Sequence, residues 1–102
     1  MVLAIDIGNT HIVVGCFQKD RIVFVERIST NRTNTTLEYA VSFKTILEIY
    51  QIPVSEIEGN IIASVVPSVT NTVKRAVETI TKQETLLVGP GIKTGLHITI
   101  DN

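Results

Sequence analysis

The sequence predicts an α/β fold: a mixed sheet, opened by a three-stranded antiparallel meander, with helices on its faces. Three observations lead there. Apolar runs at residues 2–7, 10–17 and 21–28 follow one another with only short polar connections, the pattern of successive hairpins. Helical periodicity then alternates with further short apolar runs. Hydrophobic residues make up 44% of the chain, yet aromatics are only 5% and Trp is absent. The core must therefore rest on Val, Ile and Leu, which suits a sheet covered by helices.

The elements follow in order. The first three strands are joined by the Gly8-Asn9 turn and by Gln18-Lys19-Asp20. Residues 29–36 are almost wholly polar, with four threonines in eight positions, and read as a loop. Thr35-Thr36-Leu37-Glu38 has the spacing of a capping box. Leu37, Ala40, Val41, Ile46, Leu47 and Tyr50 then give a helix with a broad apolar face, and Pro53 ends it. Residues 60–66 are apolar apart from Asn60 and Ser64, as expected of a central strand covered on both faces. Pro67 suits a first helical turn, and Val69, Val73, Ala76, Val77 and Ile80 mark a second amphipathic helix. Residues 85–88 read as a short strand, Gly89-Pro90-Gly91 as a turn, and residues 95–100 as one further weak strand.

Composition narrows the function classes. With 102 residues the chain fits one domain. The formal net charge is −1, so there is no basic stripe to suggest nucleic acid or an acidic membrane as partner. Lys74-Arg75 reads as a solvated helix face. Cys16 is the only cysteine, which rules out an intrachain disulfide and a cysteine zinc site. Its apolar strand makes it a small core residue rather than a nucleophile. The N-terminus lacks the basic region of a signal peptide, and Asp6 and Asn9 break its apolar stretch. No run approaches the roughly 18 apolar residues of a membrane span, so a cytoplasmic location is expected. The chain stops at Ile100-Asp101-Asn102, directly after an apolar stretch, and a truncated chain or one half of a larger protein is the expectation.

The chemistry concentrates in Asp6-Ile7-Gly8-Asn9-Thr10. Asp6 follows apolar strand residues, so its carboxylate falls near the strand's C-terminal end, where ligands of α/β sheets collect. A carboxylate there suits Mg²⁺, which keeps most of its waters and shares substrate phosphates. Gly8 removes a side chain where phosphate must approach. Asn9 and Thr10 add an amide and a hydroxyl, and the turn's backbone N–H groups can complete an anion nest. A plain hairpin turn of Asp, Gly and Asn accounts equally well for these five residues taken alone. A Walker loop is absent. His11 adjoins no partner carboxylate in sequence, and His97 and the few carboxylates show no metal spacing. The hydroxyl of Ser64 either bonds a neighbouring backbone group or sits near a cleft. Lys93 and Thr94 belong to a surface loop or a subunit contact, with a phosphate contact as the lesser reading.

The chain resembles the type III pantothenate kinases, within the actin, heat-shock-protein-70 and sugar-kinase superfamily. Four segments carry the resemblance: Asp6 to Thr10, Glu38-Tyr39, Ser64-Val65-Val66-Pro67, and Gly89-Pro90-Gly91-Ile92-Lys93-Thr94-Gly95-Leu96. It implies an actin-like, ribonuclease-H-like half-domain over residues 1–102. It implies ATP-dependent phosphorylation of pantothenate to 4'-phosphopantothenate, the first step towards coenzyme A. The nucleotide site would comprise Asp6, Ile7, Gly8, Asn9, Thr10, His11, Ile12 and Val13, with Asp6 holding Mg²⁺ through water. Ile7, His11, Ile12 and Val13 would contribute mainly backbone. The resemblance further implies a monovalent cation, K⁺, with its ligands outside this chain, and a homodimer.

Two departures stand against the family pattern. The family's Gly-Ala-Asp-Arg segment, which supplies the catalytic base, would lie beyond Asn102, so no catalytic base is expected here and the chain alone should be inactive. A pantothenate-contacting tyrosine is replaced by Ile100. The alternatives are another kinase or ATPase of the superfamily, and a non-catalytic accessory or interaction module.

Overall fold

The structure, a computed structural model, describes residues 1–89. Strands β1 (Val2–Ile7), β2 (His11–Gln18) and β3 (Arg21–Ser29) precede helix α1 (Thr36–Ile49) and a 3₁₀ turn (Val54–Glu56). Strand β4 (Gly59–Ser64), helix α2 (Pro67–Thr81) and strand β5 (Thr85–Val88) follow. The sheet order is β3-β2-β1-β4-β5. Pairing is antiparallel across β1–β2 and β2–β3, and parallel across β1–β4 and β4–β5. The mixed α/β architecture is the expected one, and the strand limits move by two residues at most. The further weak strand expected at 95–100 and most of the Gly89-Pro90-Gly91 turn lie outside the described residues.

Strand alternation divides the sheet into two unlike faces. Leu3, Ile5 and Ile7 of β1 join Ile12, Val14 and Cys16 of β2 and Ile62 of β4 in the main core. Both helices close on this face through Tyr39, Phe43, Leu47, Val69, Val73 and Val77. The Cys16 side chain is fully buried there, as its apolar strand suggests. The opposite face holds a smaller cluster of Ala4, Val13, Phe17 and Ala63, flanked by Ile61 and Val88. Among the described residues, therefore, both helices share one face. Ile62 and Ala63 are both fully buried, one on each face, so β4 is covered on both sides.

Local chemistry sets the ends of the elements. Thr35 caps α1: its Oγ1 accepts from the Glu38 N–H at 3.2 Å, and Glu38 Oε1 accepts from the Thr35 N–H at 2.8 Å. The expected capping box is formed. Pro67 occupies the first turn of α2, where its missing N–H costs nothing. That helix ends on Lys82 in the left-handed region, at φ 60°. Asn60 stitches β4 to the end of α2: its Nδ2 donates to Thr81 Oγ1 at 3.0 Å and to the Gln83 carbonyl at 3.1 Å.

The buried face of α1 departs from expectation. Leu37 and Val41 are 72% and 56% exposed, while Tyr39 and Phe43 are almost fully buried beside Ala40, Ile46 and Leu47. At about 100° per residue, Val41 falls nearly opposite Phe43 and Leu37 about 120° from it. The two aromatics, spaced i to i+4, bury far more surface than Leu and Val would, so they turn the helix. Tyr50 stays 38% exposed at the end of the helix, with its ring stacked on Phe24 at 4.3 Å. Urea unfolding of single variants checks this rotation. Phe43→Ala is expected to cost about 3–5 kcal/mol, and Leu37→Ala no more than about 0.5 kcal/mol, as for an exposed substitution.

Candidate functional site

Because β2 runs antiparallel to both neighbours, β1 and β3 end on the same edge of the sheet, together with β4 and β5. That edge gathers the β1–β2 tip, the loop after β3, and the β4–α2 junction. Main-chain bonds hold them together. The Gly8 N–H donates to the His11 carbonyl at 2.9 Å, and the Val65 N–H to the Ile7 carbonyl at 3.0 Å.

Asp6 pairs with Val13 of β2 and Ala63 of β4. Alternation directs its side chain to the face of the smaller cluster, away from the helices. It is half-buried, and among the described residues it has no ion-pair partner. Burial pushes its carboxyl up from the ordinary value of 3.8, because desolvation disfavours the charged form.

Asn9 and Thr10 form the exposed tip. Their backbone N–H groups meet no acceptor among the described residues. A half-buried carboxylate on β1 thus stands next to a turn with free amides. Such donors can take an anion, and the carboxylate can take a hydrated cation. Ile7, Ile12 and Val13 are fully buried, so only their backbone could take part. His11 is half-buried at the start of β2. No group of three or more His, Cys, Asp or Glu side chains able to hold a metal occurs among the described residues.

Sequence reasoning missed the other half of this geometry. Thr30, just after β3, donates its hydroxyl to the Gly8 carbonyl at 2.7 Å and its N–H to the Thr10 carbonyl at 2.9 Å. Arg32 Nη2 donates to Asn9 Oδ1 at 3.3 Å. Asn31 between them is gripped by Tyr39, whose hydroxyl accepts from the Asn31 N–H at 2.9 Å and donates to its carbonyl at 2.7 Å. The available signal was topological: in a meander the third strand ends on the same edge as the first.

Ser64 follows the first of its two open readings. Its Oγ accepts from the Val66 N–H at 2.9 Å and shapes the turn into α2. It also lines a cleft of about 390 Å³ with Pro67, Thr70, Asn71 and Val88. Alternation along β4 puts it on the opposite face from Asp6, so that cleft and the carboxylate are separate features. Lys93, Thr94 and His97 lie outside the described residues.

The model of the family described as type III pantothenate kinase matches residues 2–102. The chain belongs to this family. The type III pantothenate kinase of Exiguobacterium sp. is 40% identical over 102 residues, covering 100% of this chain and 40% of that protein. That of Exiguobacterium sibiricum is 38% identical with the same coverage. The chain therefore spans 40% of the length of these relatives. A ROK hexokinase from Thermus thermophilus matches in fold with a TM-score of 0.64 at 15% identity, over 86% of this chain and 34% of its own. The expected likeness to sugar-kinase folds is thereby found. Among the described residues no helix is long and apolar enough to cross a membrane.

The raised Asp6 value yields a pH test. A folded-state pKa above 3.8 means that the folded chain holds this proton more tightly than the unfolded one. Stability from this group is complete below 3.8 and is lost as pH rises through the raised value. Asp6→Asn is therefore expected to be more stable than wild type at neutral pH. Urea unfolding at stepped pH should show the gain vanish once both are below 3.8.

Proposed function

We propose that this chain is the N-terminal, actin-like domain of an ATP-dependent kinase that phosphorylates pantothenate to 4'-phosphopantothenate, the first step of coenzyme A synthesis. One observation carries the reading: a half-buried carboxylate on β1, without an ion-pair partner among the described residues, adjoins a two-residue tip whose backbone amides meet no acceptor among them. Membership of the family supports it.

In this reading the tip lies along the ATP phosphates. The N–H groups of Asn9 and Thr10, the Asn9 amide and the Thr10 hydroxyl hold phosphate oxygens, and the backbone from Ile7 to Val13 shapes the strand on either side. Asp6 is the residue to hold Mg²⁺, through water; its lack of a protein cation and its raised pKa fit a group that gains from one. Bound Mg²⁺ would neutralise charge on the phosphates. Phosphoryl transfer depends mainly on positioning and charge stabilisation, and these residues position only the donor. The base that activates the pantothenate hydroxyl belongs to the family's Gly-Ala-Asp-Arg segment, outside this chain, as do the ligands of a monovalent cation, K⁺. The working enzyme is a cytoplasmic homodimer that acts on ATP and pantothenate and needs neither nucleic acid nor membrane.

Two measurements test this. In isothermal titration of MgATP, the wild-type chain should bind weakly, and Asp6→Ala should bind at least about tenfold more weakly, since a charge-assisted contact is worth about 1.5–3 kcal/mol. Equal binding by both removes the phosphate-site assignment. Incubated with ATP and pantothenate, the 102-residue chain should release no 4'-phosphopantothenate; robust turnover would show that the acceptor machinery is within it.

A further inference from the structure

We propose that Thr30 is a positioning residue that aims the donors of the β1–β2 tip at a bound phosphate, with Arg32 setting the side chain of Asn9. The inference rests on the tip being the phosphate side, as proposed above, and adds the element that orients it.

Thr30 draws the carbonyls on both sides of Asn9 towards itself, Gly8 through its hydroxyl and Thr10 through its N–H. All peptide bonds described are trans. In a trans peptide the carbonyl of one residue and the N–H of the next point in opposite directions. Holding the Gly8 carbonyl therefore turns the Asn9 N–H away from Thr30, and holding the Thr10 carbonyl does the same for His11. The Thr30 hydroxyl bonds the Gly8 oxygen, the acceptor that in a two-residue hairpin usually receives the N–H of the residue across the turn. That return bond from His11 to Gly8 is not formed.

Arg32 acts on the side chain in the same sense. A guanidinium has donors only, so its contact with Asn9 must be with Oδ1. The Nδ2 donors are left to point elsewhere. Asn31, between these two residues, is fixed at both N–H and carbonyl by the buried Tyr39. The brace is thus anchored in the core, while Asn9 and Thr10 remain exposed.

The test is a ¹⁵N NMR titration with MgATP, suited to weak binding, on the wild-type chain, Thr30→Val, Thr30→Ser and Asp6→Ala, with thermal melts of each. Thr30→Val keeps the shape but loses the hydroxyl bond. It should weaken apparent binding about tenfold and shrink the Asn9 amide response, while Thr30→Ser stays within about twofold of wild type. A purely structural role would instead lower the melting temperature of Thr30→Val and leave its affinity unchanged; that result overturns the inference. Equal weakening in Val and Ser overturns it too, since the hydroxyl would then not be the cause. Hydrogen exchange on the wild type needs no variant to fold: the Asn9 amide should exchange fast when free and slow down with MgATP. Indifference of that amide, in a chain whose other residues respond, also overturns the inference. Should the wild type not bind MgATP, or Asp6→Ala bind as well as wild type, the phosphate reading itself fails and Thr30 falls with it. Wild-type binding lost in Asp6→Ala but intact in Thr30→Val removes Thr30 alone.

Discussion

The register of β1 between β2 and β4 is the constraint on which the rest of the molecule depends. Leu3, Ile5 and Ile7 point into the helix-covered core, and Ala4 and Asp6 point to the other face. A slip of one residue would exchange the two sets. It would bury a carboxylate under the helices and bring three large apolar side chains to the opposite face, where Val2, Ala4 and Asp6 of β1 now stand. The core therefore enforces the register, and the register in turn delivers Asp6 to the edge where four strands end. The position of this carboxylate is inherited from hydrophobic packing rather than specified separately.

Much of this could be read from the residues because it depends on local rules. Apolar runs between short polar connections located the strands, the Thr35–Glu38 spacing gave the cap of α1, and Pro67 marked the start of α2. The face of α1 was misjudged because every apolar residue was weighted alike. In the fold, Tyr39 and Phe43 dominate by size, and Leu37 and Val41 are left outside. Asp6 and the Gly8-Asn9-Thr10 tip stood out as a motif, since their chemistry lies in adjacent residues. Thr30 and Arg32 did not. Their importance comes from β3 ending on the same edge as β1, across β2, a long-range fact that no window along the chain contains.

Asp6 also shows the conflict between folding and function. Among the described residues its charge has no ion-pair partner, and burial partly desolvates it, which works against stability at neutral pH. A sheet chosen for stability alone would carry an apolar or amide side chain there. Retaining the carboxylate is consistent with a group whose counterion arrives with the ligand.

The grip of Tyr39 on Asn31 has an entropic consequence. The loop after β3 is almost wholly polar and would be expected to sample many conformations, each of which would have to be surrendered when a ligand docks on the tip. Two bonds from a core aromatic remove much of that freedom at the folding step. The cost of ordering the loop then falls on protein folding, where the buried ring of Tyr39 offsets it, and is not charged against ligand affinity. Even a shallow, half-formed site can in this way present its donors in a single arrangement before anything is bound.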